Sequence, residues 1–476
     1  MKVEEASASY VVPHASDVFD WQQTTLGEMA DFEMGQAPPG SECNKERIGT
    51  VFVKAGEFAS LYPVEVEWTT KPLKYGKKGD VFICVVGATA GKLNLGIDCA
   101  IGRSVAAIRP RKGIDTKFIY YQLQPWVLKL RASSSGSAQG VISKAQLSEI
   151  PLLVAPLDQQ KRIVAEIEKQ FSRLDEAVAN LKRVKANLKH YKAAVLKAAV
   201  EGRLVETEAE RARREGRSYE TGAQLLQRIL ETRRNQWQGK GKYKEPATPD
   251  TTNLPELPVG WVWASVDQLT SGSLIGLDRG RDQQNSEGIG VPYVKMNNVT
   301  MNGDVTSDDI VHVAASDDEK QRFNLKIDDL LFNTRNSKEL VGKVGIVRSL
   351  PKDAIYNNNL MRLRLIDGVI PSFICSQMCS DGFRRRMELV KKATTNVAAV
   401  YAKDLFPLPL ALPPVVEQNY IVAEVERCLS LANETDAQIN ANLRRAERLR
   451  SAILGNAFFG SLGYATGETP GETRSH

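Results

Sequence analysis

The 476-residue sequence has few of the residues from which metal and redox sites are built. It contains six cysteines and four histidines. Only Cys375 and Cys379 lie close together, and no histidine stands at a spacing typical of zinc ligands. We therefore interpret the cysteines as reduced thiols and expect neither a metal site nor a bound cofactor.

Long apolar runs are also missing. No stretch approaches the roughly 20 apolar residues that a membrane-spanning helix needs, and residues 1–20 lack the apolar segment of a signal peptide. We therefore expect a cytoplasmic protein. The chain is 42% hydrophobic and 25% charged, as folded proteins are, and its net charge of +6 permits a polyanionic partner without demanding one. Its length predicts two or more domains.

Catalytic motifs are absent or incomplete. Residues 87–93 imitate a phosphate loop, but three rather than four residues separate the glycines, and a leucine stands where magnesium binding needs Ser or Thr. We interpret the segment as a tight turn. The acidic-x-lysine pairs Asp115/Lys117 and Asp318/Lys320 lack the upstream acidic partner of a nuclease. No Asn-Pro-Pro-aromatic or Asp-Pro-Pro-aromatic sequence indicates an amino-methyltransferase. These absences favour binding over catalysis.

What the sequence does contain is an internal duplication. Residues 150–204 align without a gap with residues 408–462, at an offset of 258 and with 17 identities in 55 pairs. A weaker repeat precedes this one, in which Gly91-Lys92-Leu93 echoes Gly342-Lys343-Val344 and the loops differ in length. Similar tethers with divergent globular parts suggest two units that do one kind of job on two different targets.

The strongly repeated segment has a heptad pattern. Apolar positions follow alternating steps of four and three from Ile163 to Ala198, and again 258 residues later, without proline or glycine before Gly202. This predicts two long helices that pack along a seam. The predicted seam residues are Ile163, Ile167, Leu174, Leu181, Leu188, Val195, Ile421, Val425, Ile439, Leu449 and Ile453.

The two seams differ in size. The second is smaller and more polar in its middle, so it suits a bulkier partner such as the first helix, and we expect an antiparallel pair. In the alternative, each helix packs on its own globular domain. We find this weaker, because 11 consecutive seam positions exceed a typical globular helix.

The expected fold is α+β, with two globular domains separated by a pair of long antiparallel coiled-coil helices in a pseudo-two-fold, quasi-cyclic arrangement. The expected segments are an N-terminal extension (1–20), a first domain (21–158), a first helix (159–204), a helical spacer and linker (205–258), a second domain (259–416), a second helix (417–462) and a C-terminal tail (463–476).

Two motifs resemble those of a known family. The segment from Pro156 to Val164, PLDQQKRIV, resembles the P-L-x-E-Q-x-R-I-V signature that opens the conserved helices of type I restriction–modification specificity subunits. Leu257-Pro258-Val259-Gly260-Trp261 is similar to the L-P-x-G-W start of their target recognition domains. The first domain keeps Trp21 without the Leu-Pro-x-Gly lead, and Asn419-Tyr420 replaces the basic pair of the first helix.

The resemblance implies a non-catalytic specificity subunit that binds double-stranded DNA. Each target recognition domain would read one half of a bipartite target. The helices would fix the gap between the halves and dock two modification subunits, which bring S-adenosylmethionine and methylate adenine. Restriction subunits with motor and nuclease activity can join. Two alternatives stay open: a stand-alone DNA-modifying enzyme with a degenerate motif, and a coiled-coil adaptor without DNA contact.

Base recognition needs hydrogen-bond donors and acceptors on loops that reach the major groove, and polar loops occur in both domains. The candidate DNA-binding residues are Arg103, Ser104, Ser133, Ser134, Ser135, Ser137 and Gln139 in the first domain, and Asn333, Thr334, Arg335, Asn336, Ser337, Lys338, Asn357, Asn358 and Asn359 in the second. Each could instead belong to a solvated polar turn. A basic stretch on the first helix, from Lys182 to Lys197, fits phosphate binding and a solvated flank equally well.

Overall fold

The computed structural model describes residues 21–134, 141–238, 241–393 and 397–458. The predicted N-terminal extension and C-terminal tail lie outside these ranges. The chain forms two compact units. The first contains the described residues up to Arg183 together with those from Ile439 onward, and the second is Val184–Gln438. Each unit contains one β-rich domain and part of both long helices.

The elements up to the spacer are short strands and helices followed by one long helix. The strands are β1 (Gln22–Thr25), β2 (Ala30–Met34), β3 (Cys43–Asn44), β4 (Thr50–Val53), β5 (Trp68–Thr69), β6 (Tyr75–Gly76), β7 (Val81–Cys84), β8 (Leu93–Leu95), β9 (Cys99–Ile101), β10 (Val105–Pro110) and β11 (Pro151–Val154). The helices are α1 (Leu26–Met29), α2 (Thr116–Leu123), α3 (Val127–Ser134), α4 (Lys144–Ser148), α5 (Leu157–Val200), α6 (Glu208–Glu215) and α7 (Gly222–Asn235).

The later elements follow the same plan. The strands are β12 (Val262–Ser265), β13 (Thr270–Ile275), β14 (Gln284–Asn285), β15 (Val291–Val294), β16 (Val311–Val313), β17 (Leu330–Asn333), β18 (Arg335–Asn336), β19 (Val344–Ile346), β20 (Ile355–Tyr356), β21 (Leu360–Leu365), β22 (Lys392–Ala393), β23 (Ala398–Ala399) and β24 (Pro409–Leu412). The helices are α8 (Val266–Leu269), α9 (Asp317–Phe323), α10 (Pro371–Cys379), α11 (Asp381–Val390), α12 (Ala402–Leu405) and α13 (Val415–Phe458).

The two domains share one sheet topology. The first has a sheet of order β2-β10-β7-β8 and a pair β1-β11; the second has β13-β21-β17-β19 and a pair β12-β24. A second sheet in each domain also corresponds, as β3-β5-β4-β9-β6 and β14-β16-β15-β20. The weak repeat in the sequence is therefore a repeat of the fold, and the α+β class is confirmed.

A central strand in each domain separates two hydrophobic cores. In β7, Val81 and Ile83 join the core that contains α2, whereas Phe82 and Cys84 join a core on the opposite face. A strand covered on both faces needs apolar side chains at every position, which explains its unbroken apolar sequence. In β17, Leu330 and Phe332 likewise face one core while Leu331 faces another.

Buried polar contacts repeat between the domains as closely as the sheets do. The Gln122 side chain donates to the Leu153 carbonyl and accepts from the Leu153 amide, at 2.8 and 2.9 Å. Gln377 makes the same two bonds with Ala411, at 2.7 and 2.8 Å. Each glutamine thus ties a domain helix (α2 or α10) to the strand that precedes a long helix, satisfying backbone groups that water cannot reach.

The two long helices, α5 and α13, have 44 residues each, or about 66 Å at 1.5 Å per residue. They run antiparallel where they meet within each unit. In the first unit, Arg450 pairs with Asp175 at 2.7 Å, and the more C-terminal Phe458 shares a core with the more N-terminal Ile167. In the second unit, Lys192 donates to Asn433 at 2.6 Å.

Both ends of the predicted seams belong to domain cores. Ile167 lies in the first domain's core, while Val195, Ile421 and Val425 lie in the second domain's core. Along the middle of α5, Leu174, Leu181 and Leu188 are half-buried, as is Ile163 near its start; on α13, Ile439 is buried, Ile453 is half-buried and Leu449 is exposed. Packing on the globular domains, the alternative judged weaker from sequence, therefore describes the helix ends.

The spacer contains α6 and α7, which are capped by Thr207 and Thr221: each threonine side chain accepts a hydrogen bond from the amide three residues later. Leu225 and Ile229 of α7 are buried in the core of the second domain. Among the described helices, none combines the length and the apolar character that a membrane span requires.

Candidate nucleic-acid interface

Three chain segments of the first domain meet beyond the end of β7; we name this the first junction (residues 85–86, 103–104 and 141–142). The Val85 amide donates to the Ser104 carbonyl at 2.9 Å, and the Ile142 amide donates to the Val85 carbonyl at 2.8 Å. Val86 and Val141 form an antiparallel bridge. Segments far apart in sequence are thus held together by backbone bonds.

The second domain has a matching second junction, formed by residues 334–338, 357–359 and 391–401 without the undescribed 394–396. The Thr334 amide donates to the Asn359 carbonyl, and the Val400 amide donates to the Thr334 carbonyl, both at 2.9 Å. Arg335 pairs with Ala399 in a three-stranded sheet of order β18-β23-β22. Thr334 therefore corresponds to Val85, and Arg335 to Val86.

The candidate residues of the first domain divide into three groups. Arg103 is exposed and has no ion-pair partner among the residues that the structure describes. Ser104 is half-buried, and its hydroxyl accepts from the Ala55 amide at 3.1 Å. Ser133 and Ser134 lie in the last turn of α3. The remaining candidates, Ser135, Ser137 and Gln139, lie outside the described residues.

In the second domain, only some candidates face water. Arg335 and Lys338 are exposed, whereas Asn333 is fully buried and Asn357 nearly so. The Asn357 side chain donates to the Tyr293 hydroxyl at 3.1 Å, and its Oδ1 accepts from the Asn359 amide at 2.7 Å. A base edge can therefore reach the two cations but not these asparagines in this conformation.

The other candidates of this loop shape it from within. The Thr334 hydroxyl donates to the Asn359 carbonyl at 3.0 Å, and the Asn336 side chain accepts from the Ser337 amide at 2.8 Å. The Asn358 amide donates to the Leu277 carbonyl at 3.1 Å. Such local bonds fix the backbone that carries Arg335 and Lys338, which is the condition for precise base contacts.

A half-buried lysine follows the turn after the central strand of each domain. Lys343 donates to the carbonyls of Met296 and Val299, at 2.8 and 2.6 Å, and burial lowers its pKa. Lys92 at the equivalent place donates to the Phe58 carbonyl at 2.5 Å.

Beside these lysines the two domains differ. The first has Cys84, whose pKa burial raises to about 11, so the thiol is unreactive. The second has Asn333, whose side-chain atoms have no hydrogen-bond partner among the described residues.

Sequence reasoning missed the segment from Lys391 to Tyr401, which completes the second junction. Its Lys392 and Tyr401 are exposed, and the Lys392 ammonium lies 5.6 Å from the centre of the Tyr401 ring. The 258-residue offset carries the candidate stretch 133–139 onto 391–397. That offset was the available signal, since the segment has no hydrophobic pattern of its own.

The residues that imitate catalytic motifs have structural roles. Residues 87–89 form one 3₁₀ turn between β7 and β8. Asp115 caps α2 by accepting from the Phe118 amide at 3.0 Å, and Lys117 pairs with Glu168 at 2.6 Å. Lys320 pairs with Asp317 in α9. In the described part of the chain, no three His, Cys, Asp or Glu side chains are grouped as metal ligands would be.

The chain is similar to proteins of one family. The model of the type I restriction modification DNA specificity domain matches residues 19–190. The EcoKI specificity subunit of Escherichia coli (strain K12) is 26% identical over 382 residues, which are 79% of this chain and 72% of that protein. The putative MjaX specificity subunit of Methanocaldococcus jannaschii is 30% identical over 190 residues, 39% of this chain and 44% of that protein.

Solved structures share the fold. A chain from work on complex assembly and conformational transition of the type I R-M system superposes with a TM-score of 0.64 at 18% identity, covering 92% of this chain and 97% of that one. The HsdS subunit from Thermoanaerobacter tengcongensis superposes with a TM-score of 0.53 at 16% identity, covering 92% and 96%. At these identities, the likeness concerns the fold alone.

Proposed function

We propose that the chain is a specificity subunit of the type I restriction–modification family and that its two junctions are the surfaces that read a bipartite DNA target. Each junction would read one half of the target. The domain boundaries that we propose for the two readers are 21–158 and 259–416.

One observation carries the proposal. In both domains, backbone hydrogen bonds hold three distant segments together at the end of the central sheet, and exposed cations stand there without an ion-pair partner among the described residues: Arg103 in one, Arg335 and Lys338 in the other. Unpaired arginine on a fixed backbone is suited to the two acceptors of guanine in the major groove. The different loops would give the two half-sites different sequences.

We further propose that the chain has no catalytic activity of its own and that modification and restriction subunits supply the chemistry inside the cell. The absence of catalysis is supported by the roles of the motif-like residues, which cap a helix and form ion pairs. Purified chain incubated with S-adenosylmethionine or magnesium and DNA should give no turnover. Turnover by the chain alone would favour the alternative of a stand-alone enzyme.

The modification subunits would bind the long helices. Apolar side chains stay exposed there, among them Val416 at 49% in the first turn of α13 and Val184 at 46% on α5, as expected for a partner surface. Val416→Asp should reduce co-purification with the modification subunits. Leu389→Asp is the control, because Leu389 is 85% exposed but lies on α11 of the second domain. Equal effects of both substitutions would contradict this docking surface.

The deciding experiment is to sequence modified adenines in DNA from cells that express this chain with its modification subunits. A two-part motif with a fixed gap is expected. Binding in vitro should also weaken steeply as salt rises, because phosphate contacts release counterions. Binding that is absent, or that ignores salt, would favour the coiled-coil adaptor.

A further inference from the structure

A small sheet in the second junction places two cations in one row. In the order β18-β23-β22, Arg335 pairs with Ala399, and Ala399 pairs with Lys392. Directly opposed residues of an antiparallel sheet project from the same face. The row Arg335–Ala399–Lys392, which we name the cation row, therefore has a cation at each end and an alanine in the centre.

The cation row lies on the outer face of the sheet. Its neighbour Ala398, on the opposite face, is fully buried in the domain core, as is Val400. Because side chains alternate along a strand, Ala399 and Tyr401 point away from the core, and Tyr401 is 47% exposed. Arg335 and Lys392 are exposed as well. In β23, the alternation thus separates a face that anchors the strand in the core from a face that meets water.

Adjacent lysines in this sheet have different tasks. Lys391 donates to the Lys338 carbonyl at 2.9 Å and pairs with Glu388, so it fastens β22 to the loop after β18. Lys392 has no ion-pair partner within the described residues, and its ammonium lies over the ring of Tyr401. A cation–π contact holds such an ammonium without neutralising it. Lys392 is therefore positioned for a ligand rather than used for the fold.

We propose that the outer face of this sheet enters the major groove and that Arg335 and Lys392 determine the second half-site by binding guanine. This rests on the proposed function and names the residues that carry it. Neighbouring strands are about 4.8 Å apart, so the ends of the row are about 10 Å apart, within a groove about 12 Å wide. Arg and Lys both bind guanine O6 and N7. Ala399 between them lets the strand approach the base edges closely.

The equivalent row of the first domain has the opposite chemistry. There the bridge joins Val86 to Val141, a half-buried and a 40% exposed valine. A row of methyl groups can contact the thymine C5-methyl but offers guanine no donor. The two junctions thus differ most at the row that, by this proposal, faces the bases.

The test is a selection from duplexes with a randomised segment, using the purified full chain. The wild type should select two half-sites separated by a gap. Arg335→Ala and Lys392→Ala should each relax a guanine position in one and the same half-site and weaken binding to the selected duplex about 5- to 150-fold. Arg103→Ala should alter the other half-site. Lys352→Ala is the control, an exposed lysine in the turn before β20.

The outcomes separate the two proposals. If the wild type selects no motif, the proposed function fails and the cation row with it. If the wild type selects a bipartite motif that both variants also select with unchanged affinity, only the cation row is refuted. An equal loss on the selected duplex and on one with a scrambled half-site would assign both cations to phosphate and overturn base recognition. Unchanged melting temperatures of the exposed-site variants would show that folding is intact.

Discussion

The two domains share one frame but differ at their junctions, the surfaces that we propose read DNA. The frame repeats in its buried polar contacts: Asp80 binds Arg109 in the first domain as Asp329 binds Arg364 in the second. At the junctions, the likeness is limited to backbone bonds, and the side chains of the row change from two valines to Arg335, Ala399 and Lys392.

This difference teaches where the sequence is free to vary. A buried polar contact cannot change one partner without leaving the other unsatisfied, whereas a side chain on an exposed row changes without cost to the fold. If the rows read DNA as we propose, new DNA targets would arise at the rows while the frames stay the same. The predictions below test each half of that comparison.

The largest expected effect concerns the frame. Asp80 and Asp329 are each 3% exposed, bind an arginine with both oxygens and accept from the backbone amide three residues earlier. Asp80→Ala and Asp329→Ala should each destabilise their own domain by about 3 kcal/mol, because a half-buried arginine and a backbone amide lose their partner. Native-state hydrogen exchange measures the loss in β7 and β10 or in β17 and β21.

Asp31→Ala is the matched control. Asp31 pairs with Arg111 at 2.9 Å, but the two side chains are 68% and 50% exposed, so its loss should cost less than about 1 kcal/mol. A large loss from one buried aspartate and none from the other would show that the frames are not equivalent.

The second effect concerns the rows. Val86 of the first domain occupies the position that Arg335 occupies in the second, so Val86→Arg gives the first row an arginine at that position. The first half-site should gain a preference for guanine at one position, worth about 1–3 kcal/mol, while the second half-site stays unchanged. Selection from randomised duplexes measures this preference. A change in the second half-site, or in neither, would contradict the equivalence of the rows.

A smaller effect is expected within the helices. Leu188 is half-buried on α5 while Val195, two turns later, is 5% exposed in the second domain's core. Leu188→Asp should lower the free energy of unfolding by about 1–2 kcal/mol, because only a half-buried leucine is lost and the new charge reaches water. Val195→Asp should cost more, because its charge would be buried. Thermal unfolding compares the two, and equal losses would mean that the middle of the seam is as tightly packed as its end.

The elements with a pattern of their own were predictable. The heptad spacing of residues 163–198 predicted a long helix, and α5 covers Leu157–Val200. The apolar run at residues 81–86 is likewise a readable pattern, since β7 lies in it and is buried along its whole length. Both patterns arise from burial of many residues in regular order, which is the signal that sequence carries best.

The surface that we propose reads DNA was predictable only in part. Strands β18, β22 and β23 have two residues each, too few for any periodicity, and β18 pairs with β23 across more than 50 residues of sequence. Asn333 was expected at the surface because its neighbours are polar. It is buried because it is the last residue of the all-buried strand β17, so the apolar run before it was the better guide.

The smallest expected effect comes from one place where the frames differ. Trp21 donates to Gln159 at 3.1 Å, but Trp261 donates to Glu417, an acid at the equivalent position, at 2.9 Å. Burial raises the pKa of Glu417, and the nearby carboxylates of Glu208 and Glu210 raise it further, against the opposing effect of hydrogen bonds from the Glu208 amide and Trp261.

Since the folded pKa of Glu417 is raised, the folded chain holds this proton more tightly than the unfolded chain does. Its contribution to stability is therefore present below the ordinary glutamate pKa and is lost as pH rises through the raised value. Glu417→Gln removes the titrating group and introduces a glutamine, the residue type that Gln159 has at the equivalent position of the first half.

The unfolding free energy of the wild type, minus that of Glu417→Gln, should fall as pH rises from about 4.5 and then level off. Chemical unfolding at a series of pH values measures this difference, with Arg217→Ala as a second series, because Arg217 pairs with Glu208 at 2.6 Å and shields Glu417 from its charge. A difference that does not vary with pH, or that rises with it, would mean that the two N–H donors outweigh burial and that the acid is held charged, as a normal partner of Trp261.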